Sequence, residues 1–135
     1  MISKYIVTFS VILYAIAVPI LELNSTHVFN PNWTPHVRIH EVWQLITNSS
    51  IGLLCLYLSW KRSAVLLSAI LSLLITGGFL VGYSLKALYG GSMVYLDGSE
   101  KLIFGVNLGV AGFGLAAFLL CIAIYIESRR NNIKY

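Results

Sequence analysis

The chain has 135 residues, 58% of them hydrophobic and 10% charged, with a formal net charge of +4. Soluble domains carry about 25% charged residues, so this composition excludes an ordinary water-soluble globule. It also excludes a typical nucleic-acid binder, which clusters Lys and Arg on one solvent face; here the basic residues flank apolar runs.

A run of about 20 apolar residues crosses the hydrocarbon core as a helix. The first such run extends from about Ser3 to Leu23. Lys4 and the stretch Tyr5 to Leu21 have the look of a signal peptide. Pro19, Leu21 and Glu22 stand where a small-x-small cleavage site belongs, so the run is expected to stay as a span. Pro19 falls near its end, where a kink is tolerated. A polar segment follows, Asn24 to His40, with Pro31, Pro35, Trp33 and all three histidines of the chain. Thr34-Pro35 reads as a helix start, because threonine caps and proline suits the first helical position. That helix should run directly into a second span, about Glu41 to Trp60.

Lys61-Arg62 makes a short turn into a third span, about Ser63 to Leu85. Lys86 to Lys101 is a loop with Gly90-Gly91 and Asp97-Gly98 as turn signals. A fourth span is expected from about Leu102 to Ile126, then a basic tail. The expectation is one all-α domain, an integral membrane four-helix bundle. Gly78-x-x-x-Gly82 and Gly105-x-x-x-Gly109 suggest close approach of spans three and four. Cys55 and Cys121, both in apolar runs, read as small buried hydrophobes.

Lys and Arg counts orient the bundle. Lys4, Lys61, Arg62, Arg129, Arg130 and Lys134 fall on one side, against Arg38, Lys86 and Lys101 on the other. The excess puts both termini in the cytoplasm. The histidine segment then lies on the lumenal or periplasmic side, where Asn24-Ser25-Thr26 would be a glycosylation sequon very close to the membrane.

The chemistry is expected in Glu22 to Asn48. His36, His40, Gln44 and Asn48 are four apart, a spacing that keeps neighbours on one helix face. Such a polar stripe should face the bundle interior, with Glu22 and Asn107 as companions. Three readings fit it. The first is a divalent metal on His36 and His40, completed by His27, Glu22 or Glu41. The second is metal-free acid–base work by a histidine and a partly buried carboxylate, Glu22 first and Glu41 second. The third is structural: Trp33, Trp43 and the histidines as interfacial anchors. Arg38 would hold an anionic group or pair with Glu41. Lys86 would snorkel, Asp97 and Glu100 would belong to a solvated loop, and Tyr83, Tyr89 and Tyr95 would mark the interface.

The stretch Thr26-His27-Val28-Phe29-Asn30-Pro31-Asn32-Trp33-Thr34-Pro35-His36-Val37-Arg38-Ile39-His40 resembles the T-H-x-F-N-P-x-W-x-P-H-x-R-x-H signature of a small multi-span membrane family of unknown function. The resemblance implies that His27, Asn30, Trp33, His36, Arg38 and His40 form a unit; it brings no activity with it. At fold level the chain is similar to the four-helix membrane core of the sterol isomerases and the related sigma-2 receptor. Those proteins place acids, and in the isomerases a histidine, in an intramembrane pocket for a sterol-like ligand.

The leading expectation is a membrane enzyme for a hydrophobic small molecule of lipid, sterol or isoprenoid type. His36, His40, Glu22 and Glu41 would be catalytic. Trp33, Arg38, Trp43, Gln44, Asn48 and Asn107 would bind substrate. The rival is a non-enzymatic lipid-binding or accessory subunit. A homo-oligomer is compatible with either. Four short spans without matched broken helices do not suggest alternating access.

Overall fold

The computed structural model describes residues 1–95 and 97–132, the last two by backbone alone. Lys134, counted above for orientation, lies outside the described residues. Among the described residues, four helices are long and apolar enough to cross a membrane. They are α1 (Ile2–Glu22), α2 (Pro35–Lys61), α3 (Val65–Ser84) and α5 (Leu108–Asn132). A short helix, α4 (Lys86–Tyr89), lies between α3 and a two-stranded hairpin, β1 (Leu102–Ile103) with β2 (Val106–Asn107).

Pro19 shapes α1 without breaking it. The helix is α-helical to Ile12, widens to a π turn over Leu13–Ala17, and resumes over Val18–Glu22. In the widened turn the Val18 N–H reaches the Leu13 carbonyl, five residues back. Pro19 has no N–H for the Ala15 carbonyl four residues before it. The Ser49 hydroxyl of α2 donates to that carbonyl instead, at 3.0 Å. Ser49→Ala would leave the acceptor unmet and should lower stability by about 1 kcal/mol. Detergent-titrated unfolding followed by circular dichroism measures this.

The start of α2 is as expected. Thr34 caps it, its hydroxyl accepting from the Val37 N–H at 3.3 Å, and Pro35 is the first helical residue. Gly52, Cys55 and Ser59 are buried along one face. The opposite ends of α1 and α2 meet where the Trp60 indole N–H donates to Thr8, at 3.0 Å, so the two run antiparallel.

The core is built of small and β-branched residues. Val7, Val11 and Tyr14 of α1 pack with Cys55, Val65, Ala69, Phe113, Leu120 and Ala123. Buried hydroxyls are satisfied largely within their own helices: Ser10 donates to Ile6, Ser68 to Ala64 and Thr76 to Ser72. Tyr14 and Ser72 share a bond between α1 and α3 at 3.2 Å. Small residues that let helices approach closely are typical of bundles packed in lipid. The most extensive helix contact is α3 with α5, as expected; of the named glycines Gly109 abuts α3, where an added Cβ would lie 3.4 Å from Phe79 Cζ, whereas Gly78 and Gly105 do not. A methyl at Gly78 would meet nothing within 4 Å, and Gly105 sits in the hairpin turn. Cys55 is buried, whereas Cys121 is exposed on the outer face.

The fourth helix begins at Leu108, six residues later than the apolar run suggested. Two local features stop helix formation before it. Phe104 and Gly105 both have positive φ, 50° and 78°, and join β1 to β2 with Ile103 paired to Val106. Two-residue hairpins favour such residues; for phenylalanine the left-handed region costs about 1 kcal/mol or more. Asn107 then caps α5, its Oδ1 accepting from the N–H groups of Gly109 (2.9 Å) and Val110 (3.3 Å). Asn107 is therefore a helix cap, not a polar residue inside a span.

Candidate functional site

A cavity of about 1270 Å³ opens at the end of the bundle away from the chain termini. Its floor is apolar: Leu13, Ala17, Leu45, Ile75, Phe79 and Phe113. The rings of Phe79 and Phe113 stand 4.6 Å apart. The π turn of α1 contributes Leu13, Tyr14 and Ala17 to the lining, and π turns are frequent at functional sites. The roof comes from residues of the 23–34 loop, the 85–107 loop and the polar ends of α1 and α2.

The most defined chemistry is on the α1 side. His27 Nε2 and Glu22 Oε2 are 2.9 Å apart, each side chain about one-quarter exposed. The loop that carries His27 is fixed by its own polar residues. Asn24 Oδ1 accepts from the N–H of Thr26 at 2.7 Å and from its hydroxyl at 2.6 Å, while the Asn24 amide donates to Leu21. Asn30 is buried; it donates to the Thr26 carbonyl and accepts from the Asn32 N–H. Trp33 and Tyr95 pack edge-on against the His27 ring, at 5.9 and 5.7 Å.

These bonds set the histidine's tautomer. Thr26 has one hydroxyl proton and gives it to Asn24. At His27 Nδ1, 2.8 Å away, it is then the acceptor, so Nδ1 carries the ring proton. Nε2 is left facing the Glu22 carboxyl at 2.9 Å, a hydrogen-bonding distance that one proton would bridge. Burial first, and the positive charge of Lys101 second, hold the His27 imidazole below the ordinary histidine range.

The sign of the pH dependence follows. The folded value lies below the unfolded one, so the fold favours neutral His27. This stabilisation is complete above the unfolded value of about 6.5 and is lost as pH falls through the lowered folded value. His27→Gln should flatten the acid limb of stability against pH. Lys101→Met should move the His27 titration upward, read by nuclear magnetic resonance of labelled histidine.

Other expected residues divide into two sets. Glu22, His27, Trp33, Glu41, Gln44, Asn48 and Asn107 all line the cavity. Glu41 has no hydrogen bond or ion pair among the described residues, so the expected Arg38–Glu41 pair is not formed. Arg38 lies outside the lining, its Nε buried and without a partner. His36 and His40 also lie outside it. They are exposed and face each other, Nε2 to Nε2, at 3.1 Å. Trp43, 65% exposed, leans on His40 instead of walling the cavity.

The reason is helical geometry. At 3.6 residues per turn, each four-residue step overshoots a full turn by about 40°, so His36 and Asn48 stand about 120° apart. Among the described residues no three His, Cys, Asp or Glu side chains converge as metal ligands. The expected metal set of His27, His36 and His40 is not assembled.

Comparison with protein-family models, with curated proteins and with solved structures finds no match to this chain.

Residues read above as interfacial or solvated join the cavity. Tyr83, Tyr89, Tyr95, Lys86, Asp97 and Lys101 line it. Lys86 Nζ sits 4.0 Å from the Tyr83 ring centre, and Lys101 Nζ 5.7 Å from that of Tyr95. Exposed Asp97 is held below the usual carboxylate range by the hydroxyl and N–H of Ser99. No local signal announced Tyr95, because its contact with His27 joins two separate loops.

Proposed function

We propose that the protein is a multi-pass membrane enzyme that binds a hydrophobic small molecule and transfers protons to or from it at Glu22 and His27. Both termini lie in the cytoplasm in this reading, and the cavity opens toward the lumenal or periplasmic side. The observation that carries it is the Glu22–His27 pair, 2.9 Å apart at the rim of a cavity whose floor is apolar; in this reading the two groups share one proton. Acid–base catalysis needs a group able both to give and to take a proton near neutrality. A histidine fixed in one tautomer by Thr26, with its free nitrogen against a carboxyl, supplies that. The apolar floor fits a lipid, sterol or isoprenoid body, and the polar roof fits its head. Glu41, facing the same cavity without a partner, is placed to handle a second proton.

The test is substrate-agnostic. Detergent-purified protein is incubated with a total lipid extract from cells lacking it, and molecular masses are compared before and after. Wild type should deplete one lipid species and form another, and Glu22→Gln should not. A lipid that co-purifies with both and is never converted would support the lipid-binding subunit instead.

A further inference from the structure

The β1–β2 hairpin presents an apolar tip that no described residue covers. Leu102, Ile103, Phe104 and Val106 are all exposed, and Phe104 is wholly so. Primed two-residue turns favour Asn, Asp or Gly at their first central position; this chain has Phe104 there, with φ 50°. Turn chemistry therefore does not account for the phenylalanine, and neither does packing. Lys101 directly precedes the hairpin. Leu85, Leu88 and Tyr89, at the same end of the bundle, are exposed too, and Lys86 lies among them. Apolar side chains, aromatic rings and lysines at one level match the interfacial layer of a bilayer.

We propose that this hairpin lays its tip, Ile103 to Val106, into the interfacial layer of the membrane that the four helices cross. The proposal rests on the membrane-spanning reading. Its occupant is the phospholipid bilayer: the tip continues the exposed apolar surface of the helices, and Lys101 is placed to meet lipid phosphates. Lys101 and Asn107, at the base of the hairpin, also line the cavity. An inserted tip therefore brings the cavity rim to the depth at which a lipophilic ligand leaves the leaflet.

Depth-resolved fluorescence quenching tests this. Cys55 and Cys121 are replaced by alanine, and an environment-sensitive dye is attached at Phe104→Cys. Ile103→Cys provides a second tip position should the first variant fold poorly. Leu74→Cys, exposed in the middle of α3, is the membrane control, and Asp97→Cys the water control. The protein is placed in phosphatidylcholine vesicles with brominated chains or with aqueous iodide. The expected result is tip emission quenched several-fold more by shallow bromines than by iodide, with position 74 quenched by deeper bromines. Iodide quenching at the tip equal to that at position 97, with position 74 still lipid-quenched, would overturn the inference alone. Protection from both quenchers at the tip would overturn it too, in favour of a second copy or another protein. Failure of lipid to quench position 74 would remove the membrane-spanning reading beneath it.

Discussion

Glu22→Gln and His27→Gln should each cut turnover of the cavity's substrate by about a hundredfold to ten-thousandfold, the usual contribution of a positioned acid or base. Both substitutions keep a polar group of similar size, so the loop and helix end should stay in place. The amide that replaces the Glu22 carboxyl has no exchangeable acid proton. The amide that replaces the His27 imidazole has no basic ring nitrogen to face Oε2. Either change removes one end of the shared proton, and their effects should not add. His36→Ala and His40→Ala should leave turnover near wild type, because neither ring lines the cavity. The measurement is the rate at which the lipid identified by mass comparison disappears. Equal loss in the His36 and Glu22 variants would return the chemistry to the exposed histidine pair.

Gly52→Val should cost the most stability of any glycine substitution in the helices. An added Cβ at Gly52 would lie 2.5 Å from the Ala15 Cβ, 3.1 Å from Val11 Cγ1 and 3.3 Å from Tyr14 Cε2. Ala15 cannot move aside without shifting the α1 backbone within the π turn. Overpacking of this kind costs about 1–3 kcal/mol, and valine crowds the seam more than alanine does. Gly52→Ala should therefore be destabilising, and Ala15→Gly should recover part of the loss when combined with it. Gly77→Ala, where a methyl meets nothing within 4 Å, should be near neutral. Unfolding midpoints in mixed detergent micelles separate these outcomes.

The four long apolar helices were legible in the sequence because long apolar runs, which in lipid have one common solution, read as helices. Thr34-Pro35 fixed the start of α2 for a local reason, one cap and one pre-set φ. What sequence spacing missed came from rotation and from distance along the chain. The four-residue steps from His36 to Asn48 drift around the helix. The lining and buried residues of α2 alternate steps of four and three, through Glu41, Leu45, Asn48, Gly52, Cys55 and Ser59. That spacing averages the true helical period. It retains Glu41 and Asn48 and leaves His36 and His40 outside.

Within the motif segment, His27, Asn30 and Trp33 do come together, through bonds local to the loop. Their partners Tyr95 and Lys101 are some 70 residues away in sequence and carry no spacing signal. Pro19 was readable as a bend, but its consequence was not. The widened turn and the Ser49 bond depend on which α2 residue faces the freed carbonyl.

The central claim is that Glu22 and His27 hold one proton between them, with the imidazole fixed by Thr26. Nitrogen-15 spectra of protein labelled only at histidine test it most directly, since the chain has three histidines and His27→Gln identifies the signal. At neutral pH, His27 should show a protonated Nδ1 and a hydrogen-bonded, unprotonated Nε2. It should titrate below the ordinary histidine range, and its Nε2 signal should move in Glu22→Gln. A freely exchanging tautomer mixture that titrates near 6.5, unchanged by Glu22→Gln, would contradict the account.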